Sequence, residues 1–229
     1  MLQSLNLTED DFRGSRFKSH GTNLRGCNDV LCLTCPQAVA GIHRQYLEAG
    51  ADIIETNSFN ANAISLADYA LSEYAAEINL AAAEIARAEA DEYFKATGRR
   101  AYVAGSVGPT NKSLTMAVTL DDDIDWDTMV AAYTTQMTAL IKGGADLLII
   151  ETIFDTLNAK AAIYAAKTAF ETTGTTLPVI LSVTLTESGR TLSGQSLEAF
   201  AATVAHANPF AVGLNCGFGI EGMATHIAT

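Results

Sequence analysis

Gly50-Ala51-Asp52-Ile53-Ile54-Glu55-Thr56 and Gly144-Ala145-Asp146-Leu147-Leu148-Ile149-Ile150-Glu151-Thr152 are two copies of one phrase. Each follows a helical stretch, turns on glycine, runs through apolar residues and stops on a carboxylate. An apolar run of this length between turn signals reads as a parallel strand buried on both faces. The second copy is longer by two residues, which preserves side-chain parity, so Glu55 and Glu151 are expected to face the same way. The carboxyl end of a buried parallel strand is where α/β proteins place their chemistry.

Working outward, strands are expected at 52–55, 101–106, 146–151, 179–184 and 211–215. Helices are expected at 36–49, 64–96, 125–142, 156–173 and 196–207. Pro36 suits a first helical turn, and Gly98, Gly143, Gly174 and Asn208-Pro209 stand where helices should stop. This alternation means βαβ units and a parallel sheet. The spacing is about 33 residues per unit, and eight such units need roughly 250 residues. The fold class expected is therefore α/β, an incomplete (β/α)8 TIM barrel with about strands 2 to 6 present. Residues 1–229 form one partial barrel domain, with 1–35 an irregular lead-in and 36–229 the βα units. Periodicity alone leaves a complete five-stranded open sheet as the alternative.

Composition narrows the function. The chain has 229 residues, 48% hydrophobic, enough for one substantial core. A formal charge of −12 and a sequence pI near 4.6, with no basic cluster, argue against nucleic acid or an anionic membrane as partner. No apolar run is long enough to span a bilayer, and Met1-Leu2-Gln3-Ser4-Leu5-Asn6 lacks the order of a signal peptide. The four cysteines suggest a reducing, cytoplasmic setting.

Several segments carry candidate chemistry. Cys216, in Asn215-Cys216-Gly217, sits just past the fifth expected strand, where a thiolate can bind zinc; a small buried hydrophobe is the alternative, and spacing alone favours it. Cys27-x4-Cys32-x2-Cys35 contains a zinc half-site without a second half, so packing is the reading preferred. His43 and His206 fall on helices and read as surface or capping residues, and His20 and His226 are scattered. Gly105-Ser106-Val107-Gly108-Pro109-Thr110 closes the second strand, where backbone and hydroxyls can approach a polar headgroup. The segment from Glu187 to Gln195 reads as an active-site loop or a solvated connection. Asp121-Asp122-Asp123 reads as a solvated turn at a helix start.

Taken together, Asp11-Phe12-Arg13-Gly14, the stretches 50–59, 103–111, 147–162 and 189–195, and Gly213-Leu214-Asn215-Cys216-Gly217 resemble cobalamin-dependent methionine synthase, in its N-terminal homocysteine-binding module. Glu151-Thr152-Ile153-Phe154-Asp155-Thr156-Leu157-Asn158-Ala159-Lys160-Ala161-Ala162 and Gly189-Arg190-Thr191-Leu192-Ser193-Gly194-Gln195 favour this branch over betaine-using relatives. The resemblance implies a (β/α)8 barrel that forms methionine from L-homocysteine, with methylcobalamin as methyl donor and cobalamin and folate modules as partners. It assigns Cys216 as the first of three zinc-binding cysteines and Glu151 as the partner of the substrate ammonium. Glu55, Asn57, Ser106 and Asn215 are further pocket residues by position at strand ends. The family's adjacent Cys-Cys pair and its Asp-Gly-Gly-Met-Gly-Thr-like opening strand have no counterpart here, so the resemblance implies a chain shortened at both ends and inactive alone. Two other readings stand beside it: a non-catalytic remnant associating through open sheet edges, and an open-sheet protein binding a small anion at Gly105-Ser106-Val107-Gly108-Pro109-Thr110.

Overall fold

The structure, a computed structural model, describes residues 1–116, 124–217 and 219–227. Asp121-Asp122-Asp123 lies outside the described residues. Residues 1–35 contain a 3-10 turn at Leu2–Leu5, the short helices α1 (Glu9–Arg13) and α2 (Leu31–Thr34), and a 3-10 turn at Asn28–Val30. This segment is more ordered than its polar composition suggests, because Phe12, Phe17, Leu24, Val30 and Leu31 bury against Leu66, Leu71 and Ile78. Then come α3 (Pro36–Glu48), β1 (Ile53–Glu55), α4 (Ala63–Leu66) and α5 (Ala75–Thr97). They are followed by β2 (Tyr102–Val107), α6 (Trp126–Lys142), β3 (Leu147–Ile153), α7 (Thr156–Thr173), β4 (Val179–Val183), α8 (Leu197–Val204), β5 (Ala211–Leu214) and α9 (Ile220–Ile227).

Helix boundaries follow side-chain capping. Asp125, Asp155 and Ser196 each accept a backbone N–H from the first turn of α6, α7 and α8, and Gly98 and Gly174 end α5 and α7 in the left-handed conformation. The single helix expected over 64–96 is instead broken. Asn62 caps α4 through Ser65 N at 2.8 Å, Ala70 turns left-handed at φ 53°, and α5 starts afresh at Ala75. The break lets Leu71 bury completely.

The five strands form one parallel sheet in the order β1-β2-β3-β4-β5, with no reversal. One face carries Ile54, Val103, Val107, Leu148, Ile150, Leu181 and Val183, all buried. Neighbouring helices α3–α5, α5–α6 and α6–α7 pack on one another, and α5, α6 and α7 against the strands. The register sets the other parity side by side: Ile53 beside Tyr102, Glu55 beside Ala104, Ser106 beside Ile149, Ile180 beside Ala211 and Ser182 beside Gly213. On that face Ile53 and Tyr102 remain 48% and 42% exposed. The fold is thus α/β with a five-stranded parallel sheet.

The repeated phrase has a repeated structure at the amino ends of β1 and β3. Gly50 and Gly144 turn at φ 99° and 97°, and each following aspartate pairs with an arginine. Asp52 meets Arg99 at 2.6 Å, and Asp146 meets Arg87 at 2.8 Å while also accepting Val103 N at 2.8 Å. Among the described residues no helix is long and apolar enough to cross a membrane.

Candidate functional site

Side-chain parity and strand register bring Glu55, Ser106 and Glu151 together at the carboxyl ends of β1, β2 and β3. Ser106 Oγ donates to Glu151 Oε1 at 2.6 Å. Ser106 is itself fixed: its N–H donates to Thr56 Oγ1 at 2.9 Å, and its carbonyl accepts Ser58 Oγ at 2.7 Å. The Thr56 and Ser58 hydroxyls lie 2.6 Å apart, and Gln136 Nε2 on α6 donates to the Ser58 carbonyl at 2.8 Å. A cavity of about 520 Å³ opens beside this chain, lined by Ile53, Glu55, Ser106, Glu151 and His43.

Burial raises the Glu151 carboxyl above its ordinary range, and the Ser106 hydroxyl partly offsets it. Glu55 is raised too, first by partial desolvation at the mouth and then by repulsion from Glu151, although much of its surface stays open to water. Two carboxylates held close favour a cationic group between them, because its charge relieves both penalties. The parity argument from the repeated phrase therefore holds: the two glutamates face one space.

A second cluster lies at the ends of β3, β4 and β5. Asn215 Oδ1 accepts Thr152 N at 3.0 Å and Ser182 Oγ at 2.7 Å. Its Nδ2 donates to Thr152 Oγ1 at 2.7 Å and approaches Cys216 Sγ at 3.4 Å. Thr152 has φ 56° and Cys216 φ 57°, a left-handed backbone that a β-branched threonine adopts only under constraint. Asn215 supplies that constraint. Its amide is taken up by the protein, so it acts on the site by holding Thr152 and Cys216. The two clusters adjoin through the Glu151–Thr152 peptide.

Cys216 is exposed, not packed as a small hydrophobe, with Thr152 Oγ1 4.0 Å from its sulfur. Gly217 follows at φ 80°, where a Cβ would come within 2.5 Å of the Leu185 carbonyl oxygen, so only glycine lets the turn close. Asn57 lines the same cavity while its Nδ2 donates to the Asn28 carbonyl of the lead-in at 2.8 Å, and Cys32 Sγ donates to the Asn57 carbonyl at 3.4 Å. Burial pushes the Cys27 and Cys32 thiols up to about 12, which keeps them protonated and packed. Among the described residues no group of three His, Cys, Asp or Glu could hold a metal ion. The donor set is one thiol, which does not fit a zinc centre that needs three or four protein ligands.

His43 is not a surface residue. It stands between Val39 and Leu47 on the buried stripe of α3, 5% exposed, and burial pulls its imidazole down to about 4. His206 is exposed, with Nδ1 3.0 Å from the Thr203 carbonyl, as its helical position suggested. The segment Gly105 to Thr110 does not form an anion cradle. Ser106 is spent on Glu151, Thr110 Oγ1 donates to the Lys112 carbonyl at 2.6 Å, and Gly108 lies against Phe59 so closely that a Cβ would sit 2.5 Å from its carbonyl oxygen.

Sequence reasoning missed the residues that tie the loops to α7. Buried Asp155 accepts the Thr115 hydroxyl at 2.7 Å and the Ser113 hydroxyl, and caps α7 through Leu157 N at 2.8 Å. Asn158 accepts Leu114 N and donates to the Lys112 carbonyl, both at 2.9 Å. Thr156 donates to Gln195, bringing the 189–195 loop onto the end of β3. The signal for Thr56 and Thr152 was present, since each follows the glutamate of a repeated phrase.

The homocysteine S-methyltransferase family model matches residues 1–229. Crystal structures of the homocysteine methyltransferase MmuM from Escherichia coli are similar. The apo form shares 25% identity over 86% of this chain and 68% of that chain, with a TM-score of 0.65. The metallated form shares 25% over 86% and 71%, with a TM-score of 0.70, and the oxidised form 26% over 84% and 68%, with a TM-score of 0.69. These matches correct the narrower resemblance to the homocysteine-binding module of cobalamin-dependent methionine synthase. Methylcobalamin as donor, and cobalamin and folate modules as partners, are withdrawn with it. The physical reason lies in the two segments that carried that resemblance. Asp155, Thr156, Asn158 and Gln195 join the loops to α7, so they report how the sheet's carboxyl end is built and not which donor supplies the methyl group.

Proposed function

The chain belongs to the homocysteine S-methyltransferase family, and from that premise we propose that it binds homocysteine at the carboxyl ends of β1–β3 for methyl transfer to the thiol. The observation that carries this reading is the Glu55–Ser106–Glu151 group, two carboxylates with raised proton affinity around one hydroxyl. Glu151 takes the substrate ammonium in a charge-assisted hydrogen bond, Ser106 holds that carboxylate in place, and Glu55 adds a second negative charge. Asn57 contributes wall and not contact, since its amide holds Asn28. Asn215 fixes the turn that presents Cys216, an exposed thiol at the end of β5. In the transfer the homocysteine sulfur forms a bond to the methyl carbon. The bond from that carbon to its donor breaks with its electron pair going to the donor, and the thiol proton passes to water.

Titration calorimetry with L-homocysteine tests the reading. Glu151→Gln should weaken binding about tenfold or more, since it removes the charge facing the ammonium. Equal affinity of the variant and the unaltered chain would refute the role of Glu151, and absence of binding by the unaltered chain would refute the function.

The finer architecture we propose is an incomplete (β/α)8 barrel, with 1–229 as one homocysteine-binding domain. Its support is the sequential strand order and the open face that carries exposed Ile53 and Tyr102. A doubly wound sheet reverses its order and covers both faces; a crystal structure with helices on both faces would refute the barrel. The free cysteines suit a cytoplasmic setting, which fractionation of the source cells would check.

A further inference from the structure

A second concavity lies on the opposite, helical side of the sheet. It exists because α7 has 18 residues and α8 only 8, after which a 3-10 turn and Pro209 lead into β5. The ten-residue difference is equivalent to about 15 Å of α-helix, part of which the 3-10 turn at Ala205–Ala207 takes up. The uncovered stretch forms a groove of about 760 Å³, within the roughly 300–1,000 Å³ of small-molecule sites. Ile163, Phe170, Val179 and fully buried Leu181 line it. Trp126 and Tyr164 contribute a wall, their rings edge to face with centroids 6.3 Å apart.

The rim is cationic on a chain of formal charge −12. Lys160 and Lys167 lie seven positions apart on α7, on the same side of the helix as Tyr164. Both are exposed, and neither has an ion-pair partner among the described residues. An apolar floor with unpaired ammonium groups at its edge is complementary to a molecule with an apolar tail and one anionic head. We propose that this groove binds an amphipathic carboxylate, an acyl or arylalkyl acid whose tail lies along Ile163, Phe170 and Val179 and whose head is held by the rim lysines. The proposal is independent of the carboxylate pair, which lies at the mouth on the other face.

Trp126 is the only tryptophan in the chain, so its fluorescence reports directly on this groove. Titrating the intact chain with dodecanoate, below the concentration at which it forms micelles, should give a saturable change in Trp126 emission. The double variant Lys160→Glu/Lys167→Glu, both positions exposed, should bind about tenfold or more weakly. Dodecanol, with the same tail and no charge, should bind as weakly as dodecanoate binds the double variant. The proposal is overturned by a linear or absent response to dodecanoate, by equal affinity of the double variant, or by dodecanol binding as tightly as the acid. Saturation by an acidic amphipathic helical peptide, with no response to dodecanoate, would overturn it in favour of a protein-docking groove.

Discussion

Replacing Asn215 with alanine should disconnect the ends of three strands while leaving every proposed substrate contact chemically intact. The side chain makes bonds of 3.0, 2.7 and 2.7 Å to Thr152 N, Ser182 Oγ and Thr152 Oγ1, and a weaker one to Cys216 Sγ. At about 1 kcal/mol net for each of the three short bonds, the gross loss is roughly 3 kcal/mol. Asn215 is only half-buried, so water recovers part of this, and an expected loss is about 2 kcal/mol. For a chain of this length that lowers Tm by about 4–8 °C. Some of the lost energy is now spent holding Thr152 at φ 56°, a conformation that costs a non-glycine residue about 1–2 kcal/mol. Thr152→Gly removes that cost, because glycine adopts positive φ freely. The alanine substitution should therefore be milder in a Thr152→Gly background, with a coupling energy above about 0.5 kcal/mol. Urea unfolding of the four proteins in the cycle measures the coupling, and homocysteine calorimetry on the same samples shows whether affinity follows it. Strictly additive effects, or a single Asn215→Ala variant as stable as the parent, would refute the clamp.

Ser106→Ala removes the hydroxyl that partly offsets burial of Glu151, so the carboxyl rises further and less of it is charged at neutral pH. Homocysteine affinity should fall at neutral pH and recover as pH rises, and calorimetry across pH checks this; a deficit independent of pH would count against it. Asp29 is buried and its carboxyl is pushed up to about 6 from an ordinary 3.8. Its folded-state value is raised, so the protonated form is favoured in the fold and stability is lost as pH climbs through that window. A rise of about 2 units corresponds to about 3 kcal/mol, so Asp29→Asn, which can still accept Asn60 N, should gain stability above pH 6 and little below pH 4. Unfolding midpoints at the two ends of that range test the sign. Gly217→Ala places a Cβ against the Leu185 carbonyl at positive φ and should cost about 1–3 kcal/mol, with a parental unfolding midpoint ruling this out.

Most of the strands were legible because they are short apolar runs, two of them opened by a glycine turn, and the helices between them because Pro36, Gly98 and Gly174 mark their ends. The break between α4 and α5 was not legible, since nothing in 64–96 signals it except Ala70 in a conformation alanine rarely takes. Its cause is tertiary: Leu71 buries in the core that the lead-in segment builds. His43 was misjudged for a related reason. Its position on α3 fits a buried stripe as well as an exposed one, and only the packing of Val39 and Leu47 on either side decides between them.

At the strand ends, residue type and position were enough to place Glu55, Ser106 and Glu151 beside one cavity, because parity along a strand is a local property. They do not say what the Asn57 and Asn215 amides bond to, since such groups could serve either a ligand or the chain. For such residues the hydrogen-bond inventory is the arbiter: Asn57 holds Asn28, and Asn215 holds Thr152 and Ser182. The same inventory explains why the most specific-looking sequence segments pointed to too narrow a branch. A motif dense in Asp, Asn, Thr and Gln looks like chemistry, yet here Asp155, Asn158 and Gln195 are saturated by loop backbone and hydroxyls. The substrate role proposed for Glu55 and Glu151 rests on that contrast: among the described strand-end residues, their partners within the chain leave the electrostatic penalty of burial unrelieved.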